Sequence, residues 1–332
     1  MRKIPFILVV VFTCYFSHAQ QRTFGKLISL DPAFDQLIDQ NAKVEILADS
    51  FYWSEGPVWV KEGGYLLFSD IPRNTIFKWK QGEGLSEFLK PSGYTGKMPY
   101  SRESGSNGLI INSKGQLVAC EHGDRRISAM PLTLGGKRTL ADNYQGKRFN
   151  SPNDIVQRST GDYYFTDPAY GLPNRESDSS RETDYMGVYR LSPDGRVSLL
   201  IDNLTPNGIA FSPDEKILYV GQSDPKKAII MAYPVIADGS LGEGRVFYDA
   251  TPLIQQGLKG VPDGMKVDAK GNLFSTGPGG FLIISPSGKL LGRIEIPQST
   301  SNCAWGDDGS TLYITANMFL CRIKTKTKGN NF

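Results

Sequence analysis

Histidine is almost missing from this chain of 332 residues, which carries two, His18 and His122. His18 falls at the end of the apolar N-terminal run, so one histidine remains for chemistry and a histidine-rich zinc centre is excluded. A Ser-His-Asp triad would have to be built on His122, and no Gly-x-Ser-x-Gly elbow occurs. Cysteine is nearly as scarce, with four residues. Cys14 lies in the leading run, and Cys120, Cys303 and Cys321 are odd in number without CxxC spacing, so neither a disulfide framework nor a zinc cluster is implied. No charge of one sign dominates: 37 basic residues face 34 acidic ones, giving +3. With the charges interspersed and no basic stripe, a nucleic-acid partner is not expected. Gly-x-Gly-x-x-Gly and Walker patterns are absent from any strand-to-helix context, which argues against a nucleotide cofactor.

The N-terminus reads Met1-Arg2-Lys3, an apolar run from Ile4 to Phe16, then Ser17-His18-Ala19-Gln20. Two positive charges, a short apolar stretch and small residues at its end predict a secretory signal over residues 1–20. The remainder, 21–332, is predicted to be a single domain exported to the periplasm or the exterior, with no stable membrane span once the signal is removed.

Six segments align with one another: 54–70, 106–121, 152–167, 206–221, 262–276 and 301–316. In each, a small residue or proline precedes one amide or carboxylate. A short alternating apolar run follows, then a turn rich in Gly, Asp, Ser or Lys, then a second apolar or aromatic run. Period-two alternation broken by such turns signals antiparallel hairpins. The leading polar residues are Glu55, Asn107, Asn153, Asn207, Asp263 and Asn302, at steps of 52, 46, 54, 56 and 39. The mean, about 49, is close to the length of a four-stranded propeller blade. The prediction is an all-β fold, a six-bladed β-propeller with four-stranded antiparallel blades around a central channel. Stretches such as 75–80, 187–192, 228–235 and 281–286 supply outer strands. A short helix is expected around 32–40, and the loop 171–185 reads as a flexible, solvated insertion.

In a propeller, one column of such an alignment becomes one ring about the channel axis. Asn-Gly and Asp-Gly are ordinary turn sequences taken singly. Six in register bring side-chain oxygens together, which is what a hard cation needs, and Glu55 with Asp263 would match a divalent charge. Without a metal, the same ring would suit a polar ligand or ordered water. His122, flanked by Glu121, Asp124, Arg125 and Arg126, reads as a substrate contact or a proton shuttle.

Several ordered motifs, Ser54-Glu-Gly-Pro-Val-Trp59, Cys120-Glu-His-Gly-Asp-Arg-Arg126, Phe149-Asn-Ser-Pro-Asn-Asp154, Pro206-Asn-Gly208, Pro262-Asp-Gly-Met265 and Ser275-Thr-Gly-Pro-Gly-Gly280, resemble the gluconolactonase branch of the senescence-marker-protein/gluconolactonase/luciferin-regenerating-enzyme family. The resemblance runs from about Phe51 to Ile323. It implies a propeller with calcium, or zinc, magnesium or manganese in its place, at the channel mouth, and hydrolysis of a sugar lactone such as gluconolactone. Carried over motif by motif, the metal ligands fall on Glu55, Asn153, Asn207 and Asp263. Asn107 and Asn302 match no ligand position and read as turn or channel residues. The expected mechanism is attack of metal-activated water with Asp263 as general base, Asp154 in second place and His122 as a further catalytic candidate. Asn107, His122 and Asn153 are expected to contact the substrate. A related esterase or phosphotriesterase, or a sugar-binding propeller without chemistry, would use the same column.

Overall fold

The computed structural model describes residues 22–133 and 135–332; the expected signal, 1–20, lies outside them. Each aligned segment folds as a hairpin, because alternating residues put one face of each strand against a neighbouring sheet. The first blade orders its strands Ser54–Val60, Tyr65–Asp70, Thr75–Lys80 and Gly84–Leu89. The second repeats this with Ser106–Ile111, Gln116–Glu121, Arg126–Pro131 and Arg138–Ala141, and the third with Ile155–Gln157, Tyr163–Asp167, Gly187–Leu191 and Val197–Ile201. The fourth runs Pro206–Phe211, Ile217–Gln222, Ile229–Pro234 and Arg245–Asp249.

The last two blades recruit strands from the start of the chain. Met265–Val267, Leu273–Gly277, Gly280–Ile284 and Leu290–Glu295 are extended by Lys26–Ser29. Thr300–Gly306, Thr311–Ala316 and Phe319–Lys324 are completed by Val44–Ala48 and then Thr23–Phe24. This closure ties sequence-distant ends together, and Arg322 reinforces it with a 2.6 Å ion pair to Glu45. The innermost strands pack in succession from the first blade to the sixth and back to Ser54–Val60, so the sheets form a ring, a six-bladed propeller as the repeat predicts.

The core lies between blades. Tyr164 and Val188 of the third blade pack with Ile209, Phe211, Leu218 and Val220 of the fourth. Cys120 and Ile127 of the second meet Phe165 and Tyr189 of the third. Radial repetition of this kind leaves only short, protected sheet edges along the channel. The expected helix is a single turn, Pro32–Asp35, capped by the Asp31 side chain on the Ala33 amide at 2.8 Å. Among the described residues, no helix is long and apolar enough to cross a membrane.

The loop after the third blade's second strand is mostly exposed, as expected of a solvated insertion, and is also tied down at several points: Arg125 donates to the Ser180 carbonyl at 3.0 Å, Arg181 to that of Glu176 at 2.7 Å, and the Arg148 amide to Glu182 at 2.8 Å.

Candidate functional site at the channel mouth

Glu55, Asn107, Asn207 and Asn302 stand near the start of their blade's innermost strand, and Asn153 and Asp263 two residues before theirs. In the first, second, fourth and sixth blades the ladder register shifts at this point, next to Glu55, Asn107, Asn207 and Asn302. A bulge re-aims a side chain that a regular strand would leave on one face of the sheet. The second strand fixes the result. Thr166, Thr276 and Thr315 hydroxyls accept from the amides of Asp154, Asp263 and Asn302 at 3.1, 2.7 and 3.1 Å. Asp70 and Asp167, at the ends of second strands, receive the incoming backbone: Tyr52 and Trp53 at 3.1 and 3.2 Å, and Asn150 and Ser151 at 2.7 and 2.8 Å.

Column residues are also linked from blade to blade. The Gly108 amide donates to the Asn153 carbonyl at 2.7 Å, Ser69 Oγ to that of Asn107 at 2.9 Å, and Thr166 Oγ1 to that of Asn207 at 2.7 Å. The glycine after the polar residue therefore has a reason unconnected with turns. A Cβ at Gly208 would collide with the Asp263 carbonyl oxygen, and one at Gly264 with the Asn302 amide group.

Glu55, Asn107, Asn153, Asp154, Asn207 and Asn302 are all buried, and Asp263 keeps part of its surface open. Burial pushes the Glu55 carboxyl up to about 8, with the Asp154 and Glu103 charges adding to the rise and the Gly56 amide, 2.7 Å from Oε2, opposing it. Burial and then the Glu55 charge push Asp263 well above the usual carboxylate range. Carboxylates held this close, with Asp154 and Glu103 acting on both Glu55 and Asp263, make a site short of positive charge.

Three buried oxygens here have no hydrogen-bond partner: Asn207 Oδ1, Asp154 Oδ2 and Asn107 Oδ1. The Asn207 amide nitrogen is committed to Ser223 Oγ at 2.9 Å, leaving its oxygen free for a ligand. Buried oxygens are seldom left unpaired, and an all-oxygen set of carboxylates and amides has the chemistry of a hard divalent cation. Among the described residues no three carboxylate, imidazole or thiol groups gather closely enough to bind a metal by themselves, so a cation here would depend on the amide oxygens. Asn302 offers less. Its Oδ1 already accepts from the Cys303 amide at 2.8 Å, with the Lys266 ammonium 3.5 Å away.

His122 is fully enclosed, and burial drops its pKa to about 4. Nδ1 lies 3.0 Å from the Glu103 carbonyl oxygen and so carries the proton. Nε2 then holds a lone pair toward the Asn107 amide nitrogen at 3.4 Å, which turns Asn107 Oδ1 the other way. The neighbouring motif residues brace the fold. Glu121 is buried with Arg126 at 2.7 Å and Lys137 at 2.6 Å, and Arg125 donates to the Phe149 carbonyl at 2.6 Å.

Two residues near this mouth are absent from the sequence expectations. Glu103 sits on the loop 90–105 between the first two blades, and its charge acts on both Glu55 and Asp263. Tyr170 sits on the loop after the third blade's second strand, close enough for the Asp263 charge to raise its phenol further above the value set by burial. The length of the first loop was the available signal, since long connections in compact domains are often functional.

The model of the SMP-30/Gluconolactonase/LRE-like region matches residues 53–318. The chain belongs to that family. A gluconolactonase of Zymomonas mobilis is 43% identical over 92% of this chain and 88% of its own length. The solved structure of a gluconolactonase of Xanthomonas campestris superposes with a TM-score of 0.79 at 30% identity, covering 93% of this chain and 99% of its own. Regucalcin of Agrobacterium tumefaciens, a calcium-binding protein, shares the fold at a TM-score of 0.67 and 20% identity, over 86% of this chain and 94% of its own. The family match begins at the residue before Ser54 and takes in all six column positions.

Proposed function

We propose that the protein hydrolyses a sugar lactone to the open-chain hydroxy acid, with Glu55, Asn153, Asn207 and Asp263 holding a divalent cation, calcium before zinc, magnesium or manganese. The observation that carries this reading is the gathering at one channel mouth of Glu55 and Asp263, both raised by burial and neighbouring negative charge, with unpartnered amide oxygens, in a chain 43% identical to a gluconolactonase. When bound, such a cation would polarise the lactone carbonyl and acidify water at the site.

The side chains divide the remaining work. Asp263 keeps part of its surface open at the mouth, and a carboxylate beside a bound cation would stay ionised near neutral pH and able to accept a proton from water. It takes one proton from the attacking water as the water oxygen bonds to the carbonyl carbon. As the ring C–O bond breaks, that proton passes to the departing ring oxygen, leaving hydroxyl and carboxylic acid on one chain. Asp154 Oδ2, buried and unpartnered, is the second acceptor within the site. His122 stays neutral at pH 7 and orients Asn107, whose Oδ1 then faces substrate or water. Export through the N-terminal signal puts this activity in the periplasm or outside the cell.

The test is Asp263→Asn. The variant is expected to melt within a few degrees of the parent, to bind calcium at least tenfold more weakly, and to lose turnover of glucono-1,5-lactone by about 100-fold or more. Full activity in that variant would remove Asp263 from the mechanism.

A further inference from the structure

The mouth carries polar groups that the chemistry above leaves unused. Glu103 is held in place by its own backbone: its carbonyl accepts from His122 Nδ1, that of Ser104 from the Gly123 amide at 3.0 Å, and that of Gly105 from the His122 amide at 3.2 Å. The loop is thus fastened to the second blade, and the Glu103 side chain, 20% exposed, is directed by a fixed main chain. Its ion-pair partner is Arg175, 3.5 Å away on the other loop and 60% exposed. A pair this long and this wet contributes little and exchanges readily for another partner.

Tyr170 has a buried hydroxyl with no hydrogen-bond partner, and the next residue, Gly171, lies so close to the His122 side chain that a Cβ there would collide with it. Ser101 Oγ, two residues from Glu103, is buried and unpartnered as well. Buried polar atoms without partners are uncommon, and here they collect on the two loops beside the column. A carboxylate is suited to accept from adjacent hydroxyls of a sugar ring, while phenol and serine hydroxyls donate or accept as the ligand requires.

We propose that Glu103 and Tyr170 form a hydroxyl-reading layer above the column side chains, which selects a polyhydroxylated lactone over an unsubstituted ring of the same size. This rests on the lactonase reading. Discrimination follows because a bare lactone would leave both groups desolvated and unpaired.

Glu103→Gln and Tyr170→Phe in the full chain are compared on glucono-1,5-lactone and on δ-valerolactone, the same ring without hydroxyls. Since both substrates are measured on one preparation, the ratio of kcat/KM cancels any loss of folded protein. Wild type is expected to prefer the sugar lactone. Each variant is expected to lose about 10- to 100-fold on it, as for a lost hydrogen bond to a charged or buried group, while δ-valerolactone turnover changes less than threefold. An equal fall on both lactones, unchanged sugar-lactone turnover, or a wild type without preference would overturn the layer alone. A wild type inactive on both would overturn the lactonase reading and the layer with it.

Discussion

The enclosed imidazole of His122 makes a pH-dependent contribution to stability whose size follows from its surroundings. Its folded pKa is about 4 against an ordinary 6.5, with burial as the main cause. The unfolded chain therefore binds a proton below pH 6.5 that the folded chain refuses until near pH 4. The sign follows from linkage: stability is intact above 6.5, falls as pH drops through the window, and levels off below about 4. The whole window corresponds to about 3 kcal/mol, of which about 2 kcal/mol is gone by pH 5. Glu55, Asp167 and Asp263, with raised pKa values, push the total the other way. A variant is needed to isolate the imidazole. Urea unfolding of wild type and His122→Gln at pH 7.5, 6 and 5 provides it. The stability difference between the two proteins should shift by about 2 kcal/mol in favour of the glutamine between pH 7.5 and 5. Parallel curves for the two proteins would show that His122 titrates as it does in water, and that its Nδ1 bond and enclosure are wrong.

Other expectations test single joints of the structure. Gly208→Ala drives a methyl into the Asp263 carbonyl of the next blade and should cost about 2 kcal/mol, a fall in Tm of roughly 4 °C. Glu121→Gln strands Lys137 and Arg126 beside a neutral amide and should cost about 3 kcal/mol in urea unfolding. Calcium at 100 times its dissociation constant should stabilise the metal-stripped protein by about 3 kcal/mol in thermal melts.

Much of this architecture is legible in the residues because a propeller repeats one physical problem six times. Every blade needs an inner hairpin, and each carries one polar residue at the mouth end of that hairpin, at a bulge in four of the six. Glu55, Asn107, Asn153, Asn207, Asp263 and Asn302 therefore fall in register before any coordinates exist. The glycines beside them are misleading read singly, since Asn-Gly suggests a turn, whereas at Gly208 and Gly264 it is the neighbouring blade that leaves no room for a side chain. Closure by Lys26–Ser29 and Val44–Ala48 is hidden for a different reason. These strands are short, and their partners lie more than 200 residues away, beyond any local pattern. Glu103 and Tyr170 are hidden because they sit on loops that no other blade repeats, so no column singles them out.

The most direct measurement of the central claim is acid release from glucono-1,5-lactone by metal-stripped protein, before and after adding calcium, with spontaneous lactone hydrolysis subtracted. The account predicts little turnover without metal and its return with calcium. Turnover that is indifferent to calcium, zinc, magnesium and manganese alike would contradict it, as would no turnover on this or any other lactone or ester with the metals restored.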